Sequence, residues 1–481
     1  MCVFQWHPLS VLHSRNQSFA QSFRRLPTDL EWARFQRYSR KIRTFEEYQY
    51  RSLSLQVLLV LQSRAFSEPL LPNLKSLTLT DIPEKFVSFI PLFLSPRMTS
   101  IYLGSFEHDV SSAAVASAAT TISILCPNLQ SICLDLTQSD PMIAAAVSGI
   151  LLAINGDTLQ EFDVGSPLTE EAKKVICRLP NLCDLQIDIG GSNSLPTLAL
   201  PNLTQIEIYY DHDHGWLQAF RGATLEKLTS ITFHCRSHPT GDFLEAFESV
   251  ALTTSIPMTL SEFVFCTSLS WKPNYRSLLP FTQLKGLIID FVCNASQHDC
   301  PSAIDDDIIT DLARALTKLE TLQFGNRPCM VPTGVTTKGL VALACYCPHL
   351  SSLSIHFRVA TLGLSKIPRA TPRSQPTTHR KDCALTYLDV GSMHLPEEST
   401  LVVTQTLLRI FPYLCDIGYA DQSWRKVANA FTISKRLVDR SSKKHSFTTP
   451  HSSIDIPPRS HTRERCSIVK YPQSLGHPAL D

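Results

Sequence analysis

A six-residue pattern recurs along the chain, with an apolar residue at positions 1, 4 and 6. In the first copy these positions hold Leu74, Leu77 and Leu79. Positions 4 and 6 alternate with a period of two, which predicts a short strand with one buried face. Thirteen copies, spaced 21 to 35 residues apart, begin at Leu74, Met98, Leu129, Leu159, Leu182, Leu203, Leu228, Leu260, Leu284, Leu319, Leu350, Leu385 and Leu414.

Amphipathic stretches between these units predict helices. They cover Glu84–Leu94, Asp109–Leu125, Asp140–Ile154, Thr169–Leu179, Gly241–Leu252, Asp305–Leu316 and Thr336–Cys345. Ser139 and Thr169 stand where helix N-caps are expected. One strand and one helix make a coil that buries its apolar face only against neighbouring coils. A doubly wound sheet also alternates strands and helices, but it does not predict one pattern repeated thirteen times. The sequence therefore predicts an α/β solenoid.

The units beginning at Leu74 and Leu350 resemble leucine-rich repeats. Cys-Pro-(Asn/His)-Leu precedes two strands, at Cys126 and Cys347, and is similar to the intracellular, cysteine-containing class of these repeats. The segment Glu31–Arg43 resembles the linker after the F-box in fungal F-box/leucine-rich-repeat proteins, and the whole resemblance covers residues 26–435. It implies a leucine-rich-repeat solenoid, a curved parallel sheet with outer helices. It also implies substrate recognition in an SCF-type ubiquitin ligase.

In that family the F-box begins with a Leu-Pro pair, ends near a tryptophan and binds the adaptor Skp1. Leu26-Pro27 is such a pair, but only four residues separate it from Trp32, which leaves no room for the box, and Met1–Leu30 does not have the pattern of three packed helices. Skp1 is therefore a doubtful partner, and the segment is an F-box remnant or a linker. The alternative is a leucine-rich-repeat adaptor or scaffold with no ubiquitin-ligase role.

Three regions follow from these patterns. Residues 1–50 form a basic, partly helical N-terminal segment, and residues 51–433 form the solenoid. A proline-rich basic insert near 362–383 is expected to be disordered, as is the basic tail at 434–481, because neither has apolar periodicity.

Composition narrows the class of function. The 481 residues include 44 Lys and Arg against 43 Asp and Glu, so the chain has no general attraction for nucleic acid or membranes. Most of the 15 cysteines stand beside apolar repeat residues, which favours reduced, buried thiols and a cytoplasmic or nuclear protein. No apolar stretch reaches the roughly 20 residues of a membrane helix.

Positions 3, 5 and 7 of each unit are expected to line the concave face of the sheet. None of these 39 positions holds Lys or Arg, and ten are acidic: Asp135, Glu161, Asp163, Asp184, Asp188, Glu207, Glu262, Asp290, Asp389 and Asp416. The first six are the predicted partner-binding residues. They favour a protein partner with a basic segment and disfavour nucleic acid. The alternative is that these acids only keep a solvated sheet soluble.

Residues with catalytic or metal-binding chemistry are few. His212-Asp213-His214 offers two histidines but no third ligand nearby, and Asp305-Asp306-Asp307 stands where a helix begins. No phosphate-binding glycine loop or nucleophile motif is present. The sequence predicts neither catalytic residues nor a cofactor or metal, and the protein is not expected to be an enzyme.

Overall fold

The computed structural model describes residues 25–47, 55–65, 69–104, 110–136, 140–190, 194–211, 214–236, 243–267, 273–291, 304–325, 334–358, 383–391, 393–419 and 421–433. All of them belong to the first of two compact units, Met1–Ile433; the second unit is Ser434–Asp481. The predicted tail lies outside the described residues, as does the predicted insert except for Cys383.

In the described part of the chain, fourteen strands form one all-parallel sheet in chain order, and each strand is hydrogen-bonded to the next. They are β1 (Thr44–Glu47), β2 (Ser76–Leu79), β3 (Ser100–Leu103), β4 (Ser131–Leu134), β5 (Glu161–Pro167), β6 (Asp184–Asp188), β7 (Gln205–Tyr210), β8 (Ser230–Cys235), β9 (Glu262–Thr267), β10 (Gly286–Phe291), β11 (Thr321–Phe324), β12 (Ser352–Ser354), β13 (Tyr387–Asp389) and β14 (Asp416–Gly418).

Helical segments connect most of these strands. The α-helices are α1 (Asp29–Ser39), α2 (Leu55–Arg64), α3 (Glu84–Val87), α4 (Ser112–Leu125), α5 (Pro141–Ala153), α6 (Glu170–Ile176), α7 (Phe243–Ala251), α8 (Ile256–Thr259), α9 (Asp306–Ala315), α10 (Thr337–Tyr346) and α11 (Thr400–Ile410). Short 3-10 helices occupy Ile90–Phe93, Gly215–Phe220, Tyr275–Leu278, Glu397–Ser399 and Gln422–Trp424.

The repeated apolar positions form one continuous core. Every position-1 residue of the thirteen units is at most 4% exposed. At position 4, Leu77, Leu185 and Leu353 are fully buried in the same cluster, although they lie on strands far apart in the sheet. A shared core under one open parallel sheet confirms the predicted α/β leucine-rich-repeat solenoid.

The Pro-Asn-Leu lead-ins connect successive coils. The Asn181 amide donates to the Asp157 carbonyl at 2.7 Å, and the Asn202 amide donates to the Pro180 carbonyl at 2.8 Å. Asn73 makes the same kind of bond, to the Arg40 carbonyl at 2.8 Å. Each of these side chains therefore satisfies a carbonyl of the preceding coil, which gives the lead-in asparagine a structural role.

Two of the helix starts predicted from the sequence agree with the structure, and one differs. Thr169 caps α6 and Asp305 caps α9, where Asp305 accepts backbone hydrogen bonds from Asp307 and Ile308. The predicted cap Ser139 is wrong, because α5 is capped by Asp140, which accepts from Met142 N at 2.7 Å. Pro141 at the first helical position fixes this start, since a proline there needs no N–H partner.

The sheet begins before residue 51, where the sequence places the start of the solenoid. Strand β1 pairs in register with β2, so that Phe45 lies beside Leu77. The apolar pattern does not reveal β1, because its sixth position is Glu47. A capping box at Thr28 and Glu31 starts α1, the element before this strand.

Candidate partner-binding face

Positions 3, 5 and 7 of the strands line the side of the sheet opposite the buried core, which we call the open face. On β2, Leu77 and Leu79 are buried, whereas the alternate residues Ser76 and Thr78 are half-buried. Of the six predicted acids, Asp135, Glu161 and Asp184 are exposed, Asp163 and Glu207 are half-buried, and Asp188 is buried.

Parallel pairing brings the acids of β4 to β7 together. Glu161 lies directly beside Asp184, and Asp163 lies beside Cys133 on one side and Gln186 on the other. Neighbouring strands are about 4.8 Å apart, so like charges at paired positions repel each other. Among the described residues, no Lys or Arg forms an ion pair with Asp135, Glu161, Asp163 or Asp184.

Asp163 is the centre of this group. Burial raises its pKa to about 6, and the charges of Glu207, Asp135 and Asp184 add to that rise. The Cys133 thiol donates a hydrogen bond to Asp163 Oδ2 at 3.0 Å, which acts in the opposite direction. Burial, followed by the charge of Glu161, also raises the pKa of Asp184. Both acids therefore have raised pKa values, first because they are partly buried and second because other carboxylates lie near them.

Asp188 differs from the other predicted acids. Its side chain has no exposed surface, and its Oδ2 lies 2.7 Å from the Arg236 guanidinium. Its Oδ1 accepts the backbone N–H of Gly190 at 2.7 Å, and Gly190 has a φ of +56° that a glycine adopts without strain. Asp188 therefore holds the end of β6 in place and offers no free charge to a partner.

Glu207 has two hydrogen-bonding partners on the open face. His234 Nε2 lies 2.8 Å from Glu207 Oε1, and the Tyr209 hydroxyl donates to the same oxygen at 2.6 Å. Burial acts to raise the pKa of Glu207, but the contacts with His234 and Tyr209 outweigh it and lower the pKa below its usual value. Glu207 thus stays ionised, with a hydrogen-bonded imidazole beside it.

The cation that neutralises Asp188 lies just outside the positions counted in the sequence. Arg236 follows the end of β8, two residues beyond position 7. A count that extended each unit to position 9 would have found it. The free acidic cluster therefore consists of Asp135, Glu161, Asp163 and Asp184, with Glu207 at its border.

The four remaining acids are spread over the rest of the face. Glu262 accepts a hydrogen bond from the Ser230 hydroxyl at 3.3 Å. Asp389 accepts the N–H of Gly391 at 2.8 Å, and its charge and that of Asp416 raise the pKa of Tyr387 after the larger effect of burial. Asp290 lies half-buried on β10. These acids do not join the cluster on β4 to β6.

The described residues contain no group of three or more side chains placed to hold a metal ion. Of the histidine motif, only His214 lies within the described part, while His212 and Asp213 fall outside it. A small cleft of about 140 Å³ lies between Trp32 on α1 and Arg64 on α2, away from the open face. No helix in the described ranges has the length and apolar character needed to cross a bilayer.

No family model matches this chain, and no curated protein does. Among solved structures, the chain is similar to the Rad7 and Elc1 complex of yeast, at 11% identity and a TM-score of 0.37, covering 72% of this chain and 75% of that one. It is also similar to a protein from Bacteroides fragilis, at 13% identity and a TM-score of 0.26, covering 75% of this chain and 70% of that one.

Proposed function

We propose that the chain is a protein-interaction module that binds a basic segment of a partner through the acidic part of its open face. The observation that carries the proposal is the cluster of Asp135, Glu161, Asp163 and Asp184, whose charges no described Lys or Arg neutralises. Clustered carboxylates repel one another, and a cationic partner relieves that repulsion. The module is not an enzyme in this proposal, and no cofactor, nucleic acid or membrane takes part.

The partner that we favour is a substrate, presented to an SCF-type ubiquitin ligase in the cytoplasm or nucleus. The support for this finer proposal is the resemblance of the repeats and of Glu31–Arg43 to fungal F-box/leucine-rich-repeat proteins. An adaptor or scaffold without a ubiquitin-ligase role is the second candidate. Its support is the sequence of Met1–Leu30, which does not have the pattern of three packed helices expected of an F-box.

Charge reversal tests the binding face. We expect the combined change Glu161→Lys, Asp163→Lys and Asp184→Lys to abolish capture of the partner found by affinity purification with the wild-type chain. Asp188 is left unchanged, because reversing it breaks a buried ion pair. The matched control is Glu171→Lys, Glu226→Lys and Glu398→Lys, which changes the net charge equally at exposed positions off the open face. Equal capture by both triple variants would refute the acidic face as the binding site.

Co-purification separates the two candidate roles. A ubiquitin-ligase subunit is expected to bring Skp1 and a cullin with it, and to raise ubiquitylation of the captured partner. An adaptor is expected to capture the same partner without either effect. Capture that needs the acidic residues, with neither Skp1 nor ubiquitylation, would leave the binding function standing and exclude the ligase role.

A further inference from the structure

The open face already binds one arginine side chain, that of Arg236. Its guanidinium lies 2.7 Å from the buried carboxylate of Asp188 and 5.4 Å from the centre of the Tyr209 ring. The imidazole of His234 is stacked on that ring, with 4.3 Å between the ring centres. A planar cation thus rests on an aromatic ring with a carboxylate at its edge, an arrangement that suits arginine better than lysine.

The same components recur at Tyr102 on β3, in the acidic part of the face. The Tyr102 side chain is 38% exposed and lies across Gly104. A Cβ atom at Gly104 would approach Tyr102 Cε1 to 2.8 Å and the Tyr102 hydroxyl to 3.2 Å, so this position of the ring needs a glycine beneath it. The glycine therefore leaves the ring lying along the sheet, with part of its surface open to a partner.

The strand register places acidic residues on the strands beyond this ring, since Tyr102 pairs with Cys133 and Cys133 pairs with Asp163. Asp135 N donates to the Leu103 carbonyl at 2.9 Å, which places Asp135 beside Gly104 on the next strand. Asp135 is an exposed residue, and the next strand continues past Val164 with Gly165, which has no side chain. Burial, and then the charges of Cys133, Asp135 and Asp163, raise the pKa of Tyr102, which is consistent with acids close to its hydroxyl.

The surroundings of Asp188 and those of Tyr102 differ in whether the chain itself supplies a cation. At Asp188 the chain supplies Arg236, whereas no described Lys or Arg pairs with Asp135 or Asp163. We propose that Tyr102, Asp135 and Asp163 form a subsite for an arginine side chain of the partner, with the guanidinium stacked on the Tyr102 ring and bonded to the carboxylates. This inference rests on the proposed function and adds to it a preference for arginine over lysine.

Two fluorescent peptides of equal length and charge test the preference. In one peptide all the cationic residues are arginine, and in the other they are all lysine; glycine and serine separate the cationic residues in both. Binding to the full chain is measured by fluorescence anisotropy at one salt concentration. An exposed cation–π contact contributes about 0.5–1 kcal/mol, so we expect the arginine peptide to bind roughly two- to fivefold more tightly.

Variants locate the effect. Tyr102→Leu is expected to remove the arginine preference while leaving the lysine peptide unchanged, and Tyr102→Phe to keep it, because the ring remains. Tyr413→Leu, which changes an exposed tyrosine in the turn after α11, is expected to bind both peptides as the wild type does.

The outcomes distinguish this inference from the proposed function. Equal wild-type affinity for the two peptides, or an arginine preference that survives Tyr102→Leu, would overturn the subsite and leave the acidic face as a general site for cations. Failure of the wild type to bind either peptide would overturn the site for basic segments, and the subsite with it.

Discussion

The open face has two regions that consist of the same kind of parallel strands but differ in the side chains that they expose. Across β4 to β7, six of the twelve residues at positions 3, 5 and 7 are acidic, whereas across β9 to β12 only Glu262 and Asp290 are. The contrast is clearest at position 5, which holds Cys133, Asp163, Gln186 and Glu207 in the first region and Val264, Ile288, Gln323 and Ser354 in the second.

The buried side of the sheet shows no such difference. Leu185 in the acidic region and Leu322 in the second region are both fully buried at position 4. The core positions are therefore alike in the two regions, whereas the open positions differ in charge. This division is typical of repeat proteins, in which each coil depends on its neighbours through the core.

The largest expected effect comes from substitutions in the core, which should destabilise the protein equally in both regions. Leu185→Ala and Leu322→Ala each remove a fully buried side chain, and each is expected to cost about 2–5 kcal/mol. Urea unfolding followed by circular dichroism measures the cost. If one variant lost several times more stability than the other, the core would not be equivalent along the sheet.

A somewhat smaller effect is expected at the border of the acidic region. Arg236→Ala leaves the buried Asp188 carboxylate without its cation, and breaking such a pair costs about 3–5 kcal/mol when both partners are buried. The Arg236 side chain is 40% exposed, so solvent screening reduces the expected loss to about 1–3 kcal/mol. Adding Asp188→Asn should restore part of the lost stability in urea unfolding. No recovery in the double variant would contradict the pairing.

The pH dependence of stability should set the acidic region apart. The pKa of Asp163 is about 6 in the folded protein, against about 3.9 in an unfolded chain. The folded state thus binds more protons in this interval, and stability is lost as the pH rises from about 4 to 6, by on the order of 2 kcal/mol. Asp163→Asn, which has no proton to lose, should remove this loss from thermal unfolding curves recorded across the same pH range.

Glu207 provides the control of opposite sign. Its pKa is lowered, so it contributes stability that is present above the unfolded pKa and is lost as the pH falls. Glu207→Gln should therefore lower stability at pH 7 and have little effect at low pH. If both substitutions changed the stability at pH 7 in the same direction, the two carboxylates would not be distinguished by their surroundings.

The smallest expected effect comes from the paired acids Glu161 and Asp184. Like charges directly opposite each other on neighbouring strands destabilise by roughly 0.2–1 kcal/mol, so Asp184→Asn should stabilise the protein by that amount. The gain should shrink in 1 M NaCl, where the Debye length falls to about 3 Å. A gain that is unchanged by salt would point to a cause other than repulsion.

Most of the fold could be predicted from the sequence, because the information lies in local periodicity. All thirteen units became strands, and every position-1 and position-4 residue is buried. Strand β1 was not predicted, because Glu47 stands where the pattern has an apolar sixth residue. Its place in the sheet depends on pairing with β2. Pairing with a neighbour is a tertiary effect, which a pattern within one segment does not contain.

The candidate site was less predictable, because charge at a surface depends on contacts between strands. Asp188 fits the pattern of an outward residue, yet the register between β5 and β6 shifts after Val164, so that Asp188 pairs with Pro167. Arg236, 48 residues away in sequence, then completes its environment. The position of Tyr102 over Gly104 was likewise missed, although an exposed aromatic residue two positions before a glycine was a visible signal.

The asparagine lead-ins have a consequence for dividing this chain into fragments. Their amides bond to the preceding coil at β2, β4, β6 and β7, and the lead-ins from β8 onward contain no asparagine before the first leucine. A break ahead of β2, β4, β6 or β7 separates an amide from its carbonyl and leaves two polar groups without their native bond. From β9 onward, hydroxyl groups link successive coils where the asparagine amides do so earlier: Ser261 and Ser351 each donate to a carbonyl of the preceding coil at 3.0 Å, and Thr386 does so at 3.1 Å. A shortened version that ends after β8 therefore keeps every asparagine bridge intact.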